Sequence, residues 1–185
     1  MRSFSQFSLA GFMLLGLLSC SGGSKESPKI ASSLVYTDPT DTERYRFVKG
    51  ADSTSDKLVL ELRGPASYRG RGVTFGLQAD SSVNFVKLRE SDAEFAQNGV
   101  FELGNAPQLF KSVMDGNTLR VSLAQKGTGN AQILSGVLAR VAVQLQSGVV
   151  QGTNVSLRVL NDARVLPENG NSTSINVEIG KLTAQ

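Results

Sequence analysis

Apolar and polar positions alternate with a period of two along much of the chain after residue 57, the spacing of half-buried β-strands. Leu58, Leu60 and Leu62 alternate with Val59, Glu61 and Arg63, and Val73, Phe75, Leu77 and Ala79 with Thr74, Gly76 and Gln78. The rhythm returns in Leu119, Val121 and Leu123, in Val155, Leu157 and Val159, and in Ile175, Val177 and Ile179. Turn formers separate these runs: Gly64-Pro65, Asp80-Ser81-Ser82, Asp115-Gly116-Asn117, Gly127-Thr128-Gly129, Ser147-Gly148 and Glu168-Asn169-Gly170. Val137–Leu145 is the most continuously apolar stretch and is expected to be a central strand. In Val83–Leu88 the apolar phase slips at Phe85-Val86, as a bulge or strand break would make it do. Helical spacing is confined to a turn or two around Ser91–Gln97 and Ala106–Val113. Short strands punctuated by turns predict an all-β sandwich with antiparallel sheets.

The first 20 residues follow a different pattern. Arg2, an apolar run from Leu9 to Leu18, and Ser19 before Cys20 make the three parts of a secretory signal, and the run is too short to cross a bilayer as a helix. Leu17-Leu18-Ser19-Cys20 resembles the bacterial lipobox, whose Cys becomes the acylated N-terminus. The resemblance implies lipid attachment at Cys20 and a bilayer as partner. Ser21 after the Cys fits outer-membrane sorting under the enterobacterial rule. The expected organisation is a signal peptide over 1–19, a lipidated Cys and flexible tether over 20–33, and a sandwich over 34–185.

Composition narrows the chemistry. The 185 residues hold 19 Lys+Arg, 16 Asp+Glu, one Cys, no His and no Trp. Without His there is no Ser-His or Cys-His catalysis and no common zinc set, and a lone Cys makes no disulfide within the chain. No cofactor motif is present, so the expectation is a non-enzyme with no cofactor. Losing residues 1–19 leaves 18 positive against 16 negative side chains, too even a balance to argue for nucleic acid. Tyr68-Arg69-Gly70-Arg71-Gly72 is read as a solvated hairpin loop rather than a nucleic-acid motif. Asp38, Asp41 and Glu43, and also Glu90, Asp92 and Glu94, offer hard oxygen ligands, but neither set has the spacing of a calcium loop. Tyr36, Tyr45 and Tyr68 are the only tyrosines and thus the candidates for a small sugar platform.

Gly72-Val73-Thr74-Phe75-Gly76-Leu77-Gln78-Ala79-Asp80, followed by Val83-Asn84-Phe85-Val86, resembles the cohesin pattern of a G-x-x-F-x-L-x-Y-D strand leading into a second apolar strand. Leu119–Gly129 resembles the cohesin strand that enters an A-E-D-x-G-T-G-like loop, and Gly136–Val141 its G-V-L-A-x-I strand. Val155–Asn161, Ala163-Arg164-Val165 and Glu168-Asn169-Gly170 are similar to the late strand and its acidic glycine turn. These matches run in order from Lys57 to Ile179. They imply a jelly-roll sandwich of about nine strands and a non-catalytic module that binds a protein or a polysaccharide. The pattern departs at Ala79, Gln125 and Lys126, where cohesins carry Tyr and acidic residues. The positions matching cohesin contacts are Thr74 and Gln78 on an exposed strand face, and Gln125, Lys126, Gly127 and Thr128 on the adjoining loop. The alternative expectation is a structural accessory lipoprotein of an envelope secretion or pilus assembly, docking through strand edges.

Overall fold

The computed structural model describes residues 26–101, 108–125 and 131–185. Cys20, Lys126, Gly127 and Thr128 lie outside the described residues. The strands are β1 (Leu34–Thr37), β2 (Tyr45–Lys49), β3 (Lys57–Arg63), β4 (Arg69–Ala79), β5 (Val83–Val86), β6 (Ala96–Asn98), β7 (Gln108–Asp115) and β8 (Thr118–Gln125). They continue as β9 (Gln132–Ile133), β10 (Val137–Leu145), β11 (Asn154–Val155), β12 (Leu157–Val159), β13 (Arg164–Pro167), β14 (Thr173–Ser174), β15 (Val177–Glu178) and β16 (Lys181–Ala184). Six of these are fragments of two or three residues, which leaves ten longer strands among the described residues against the roughly nine expected.

Two sheets face each other. One runs β15-β2-β3-β10-β5, with β6 also on β10; the other runs β14-β13-β4-β8-β7, with β9 and β12 also on β4. Every pairing is antiparallel except β15 on β2. The core fills the space between the sheets because one phase of each strand is apolar. Leu58, Leu60, Leu62, Val141 and Val143 meet Val73, Phe75, Leu77, Val121 and Leu123, all at most 3% exposed. The Phe47 and Phe75 rings, one from each sheet, pack edge to face with centroids 5.4 Å apart. The long apolar stretch is central as expected, since β10 lies between β3 and β5.

A third sheet, β1-β16-β11, closes the C-terminal strand onto the N-terminal one. Hydrogen bonding to the sandwich begins ahead of residue 34: Ala31 donates to Val149, and Ser32 and Ser33 donate to Gln185. The Val155–Val159 run divides at Ser156, so that β11 joins β16 and β12 joins β4. Asp80 holds that crossing by accepting the Ser156 N–H.

Three local expectations are corrected. No helical turn forms around Ser91–Gln97 or in the described part of Ala106–Val113. Gln108–Asp115 is instead a strand laddered with β8 from Gln108↔Gln125 to Asp115↔Thr118, across a two-residue turn in which Gly116 has φ 57°. The period of two was masked because both phases of β7 hold apolar residues. The strand expected at Ile175–Ile179 shortens to β15, and the chain closes with β16, whose lysine and threonine dilute the apolar signal. The Arg69–Gly72 segment is no hairpin loop. It opens β4, and its glycines allow close strand approach: a Cβ at Gly72 would lie 2.6 Å from the Leu123 carbonyl oxygen.

Candidate functional site

Alternation along β4, β8 and β7 builds the outward face of the second sheet. With Val73, Phe75, Leu77 and Ala79 turned inward, Gly72, Thr74, Gly76 and Gln78 turn outward. The register sets Ser122 beside Thr74, Arg120 beside Gly76 and Ala124 beside Gly72. On the far side β7 adds Leu109 next to Ala124, Lys111 next to Ser122 and Val113 next to Arg120. None of these outward positions carries an aromatic ring.

The face is polar at its middle and apolar at one end. Thr74 Oγ1 donates to the Val121 carbonyl at 3.0 Å and lies 3.0 Å from Ser122 Oγ, so it is half-buried and partnered. Gln78 accepts from Arg158 and sits 3.4 Å from the Asn117 side chain. Between them Leu160 lies over Gly76, where an added Cβ would come within 2.7 Å of its side chain. Arg120 is paired with Asp162. At the other end, Gly72, Leu109, Ala124, Leu166 and Arg164 surround a shallow hollow of about 290 Å³. Leu109 and Val113 are 47% and 50% exposed. The Arg164 guanidinium, exposed on the same face, has no hydrogen-bond or ion-pair partner among the described residues.

Gln125 corrects the expected site. It is the last residue of β8, in phase with Leu119, Val121 and Leu123, and therefore points between the sheets at 4% exposure. Its amide has no partner among the described residues. The structure thus brings Thr74 and Gln78 to one face and removes Gln125 from it.

The β7 edge is closed by a side chain. Glu94 accepts the Ser112 backbone N–H and the Ser112 hydroxyl, both at 2.7 Å, and pairs with Lys111 at 3.2 Å. The Ser112 hydroxyl accepts the Phe95 N–H in return. The Ser112 hydrogen bonds lead the causes that hold the Glu94 carboxyl below its ordinary range. A strand edge capped in this way offers fewer free donors to an incoming strand. Three of the other five candidate oxygen ligands are engaged locally: Asp38 accepts the Lys49 N–H, Asp41 the Glu43 N–H and Asp92 the Arg89 N–H.

No family model matches the chain, and no match to a curated protein was found. Solved structures do match. A type II cohesin domain from the cellulosome of Acetivibrio cellulolyticus superposes with a TM-score of 0.57 at 11% identity, over 77% of this chain and 95% of that one. Type II cohesin A11 from Bacteroides cellulosolvens gives 0.56 at 13% identity, over 76% and 98%. The sixth cohesin of A. cellulolyticus scaffoldin B, solved in complex with a dockerin mutant, gives 0.54 at 12% identity, over 75% and 95%. The fold is cohesin-like. Within this cohesin-like sandwich, Leu109, Val113 and Arg164 were missed as surface residues. Reading 108–115 as a strand would have found the first two, because its two apolar phases cannot both face the core.

Proposed function

We propose that this chain is a non-catalytic binding module that docks a protein on the outward face of β13, β4, β8 and β7. The observation that carries the reading is the Leu109–Ala124–Leu166 hollow beside the unpaired Arg164. An apolar side chain of a partner fills the hollow, and a neighbouring carboxylate meets the guanidinium. At the hollow, Gly72 of β4 and Ala124 of β8 are small enough to let a partner approach closely. The scaffoldin B cohesin was solved bound to a dockerin, which supports a protein over other ligands for this fold. A polysaccharide is the weaker occupant of this face, since it lacks the ring platform such polymers stack on. Docking through the β7 edge, as in an envelope assembly, is opposed by the Glu94 cap.

The module is held at the bacterial outer membrane by acyl chains on Cys20, and Lys126, Gly127 and Thr128, which follow β8 in the sequence, take part in docking. Anchoring confines the module to a surface and raises its effective concentration there. Mass spectrometry of the mature N-terminal peptide checks the anchor: acyl groups on Cys20 support it and a free thiol overturns it. For the face, Leu109→Asp combined with Arg164→Glu is expected to lower capture of the partner from native membranes at least about tenfold without lowering the melting temperature. Full capture by that variant would overturn the reading.

A further inference from the structure

Two of the three tyrosines line one cavity that the docking-face hollow does not include. Tyr36 is not one of them: it is buried, donates to the Phe47 carbonyl at 3.0 Å and accepts the Gly180 N–H at 2.7 Å. Tyr45 at the start of β2 and Tyr68 just before β4 instead line a cavity of about 460 Å³ between the sheet ends. That volume lies within the roughly 300–1,000 Å³ typical of small-molecule sites. Its floor is apolar, built from Pro65, Leu134, Val165, Pro167 and Ile175.

The polar groups around this floor divide into two sets. Arg44 is paired with Asp41 and Glu178, and Arg69 donates to the Ala131 carbonyl at 2.6 Å. Arg69 also lies 3.9 Å from the Glu168 carboxylate, so each cation has a carboxylate beside it. The hydroxyls of Tyr45 and Tyr68, the Asn176 amide and the Glu43 carboxylate have no side-chain partner among the described residues, and all four residues line the cavity. Tyr68 is 59% exposed, so a broad part of its ring is open to solvent. Burial, with a smaller contribution from Tyr68, pushes the Tyr45 phenol up to about 12, so it stays a neutral donor and acceptor.

An open ring, an apolar floor and a rim of uncharged hydroxyls with one amide and one carboxylate suit a molecule that has both a C–H face and many hydroxyls. A fatty chain would leave the four polar groups unmet, and an anion would meet the Glu43 carboxylate and two arginines whose charges neighbouring carboxylates already offset. We propose that this end cavity binds a neutral sugar, one or two rings long, stacked on Tyr68 and hydrogen-bonded by Tyr45, Asn176 and Glu43. Val165 lines both this cavity and the hollow of the docking face, but Tyr45, Tyr68, Asn176 and Glu43 line the cavity alone.

The test is saturation-transfer NMR on the full chain in a detergent without a sugar headgroup, with cellobiose, diacetylchitobiose and galactose as probes. At least one probe should receive saturation at its ring C–H protons, with a Kd of about 1 mM or tighter. Tyr68→Ala and, separately, Asn176→Ala should weaken that binding at least about fivefold, whereas Leu109→Asp should leave it unchanged. Tyr68 and Asn176 are not core residues, so both variants should keep the parent melting temperature. No transfer to any of the three probes would overturn the proposal, as would transfer that survives Tyr68→Ala. Loss on Leu109→Asp would move the sugar to the docking face and overturn it equally.

Discussion

The two sheets share a core but treat their outer faces differently. On the first sheet the outward residues are largely covered: Val59 and Ala142 are 2% and 0% exposed, although they point away from the core. The turn after β2 accounts for part of this, because Ser53 Oγ accepts the Val59 N–H and Gly50 donates to the Val59 carbonyl. Beside them Glu61 is nearly buried and is held by Arg63 at 2.7 Å and Arg140 at 3.0 Å. On the second sheet Gly72 and Gly76 of the outward row are also buried, but Thr74 and Gln78 are half-buried and the neighbouring Leu109 and Val113 are left bare. The first face covers its central outward residues, and the second leaves Leu109, Val113 and the Arg164 guanidinium open to a partner.

The largest effect should come from the shared layer. Phe75→Ala removes a ring packed against Phe47 and should cost about 3–5 kcal/mol by chemical denaturation, destabilising both sheets together. A loss below about 1 kcal/mol would mean the sheets are not packed through this pair.

The next contrast separates the faces. Glu61→Ala leaves two arginines without their carboxylate and should cost about 1–3 kcal/mol. Thr74→Ala, at the middle of the open face, should cost about 1 kcal/mol or less, since its hydroxyl bonds are partly solvated. Equal costs would erase the distinction between a structural and an available face.

The smallest effect is electrostatic and lies at the β7 edge. Glu94 has a folded pKa below its unfolded value, so its contribution to stability is full above the unfolded value and is lost as pH falls through the folded one. Acid titration of stability should therefore show a steeper loss in the parent than in Glu94→Gln below the ordinary glutamate range. Parallel curves would show that the Ser112 cap carries no charge-dependent stability.

The sandwich was legible because its longer strands alternate cleanly, as in β3, β4 and β8, and because the turns at Gly64-Pro65 and Asp115-Gly116-Asn117 use residues that favour turns. Legibility failed where alternation carried no contrast. In β7 the residues Leu109, Phe110, Val113 and Met114 populate both phases, which reads as a short helix until the ladder with β8 is seen. It failed again at Gln125, where a polar side chain continues an inward phase and ends up buried. The small face residues Thr74 and Gln78 could be placed from phase alone. The hollow could not, because Leu109, Ala124, Leu166 and Arg164 come from three strands whose register no local pattern specifies.

The central claim is that a partner uses the face of β4, β8 and β7 rather than that of β2, β3 and β10. Photo-crosslinkers placed singly at Leu109, Val113 and Arg164, and on the opposite sheet at Val48 and Asn84, test it within native membranes. The account predicts one discrete adduct shared by the first three positions and absent from the last two. Adducts from Val48 or Asn84 with none from Leu109 would contradict it.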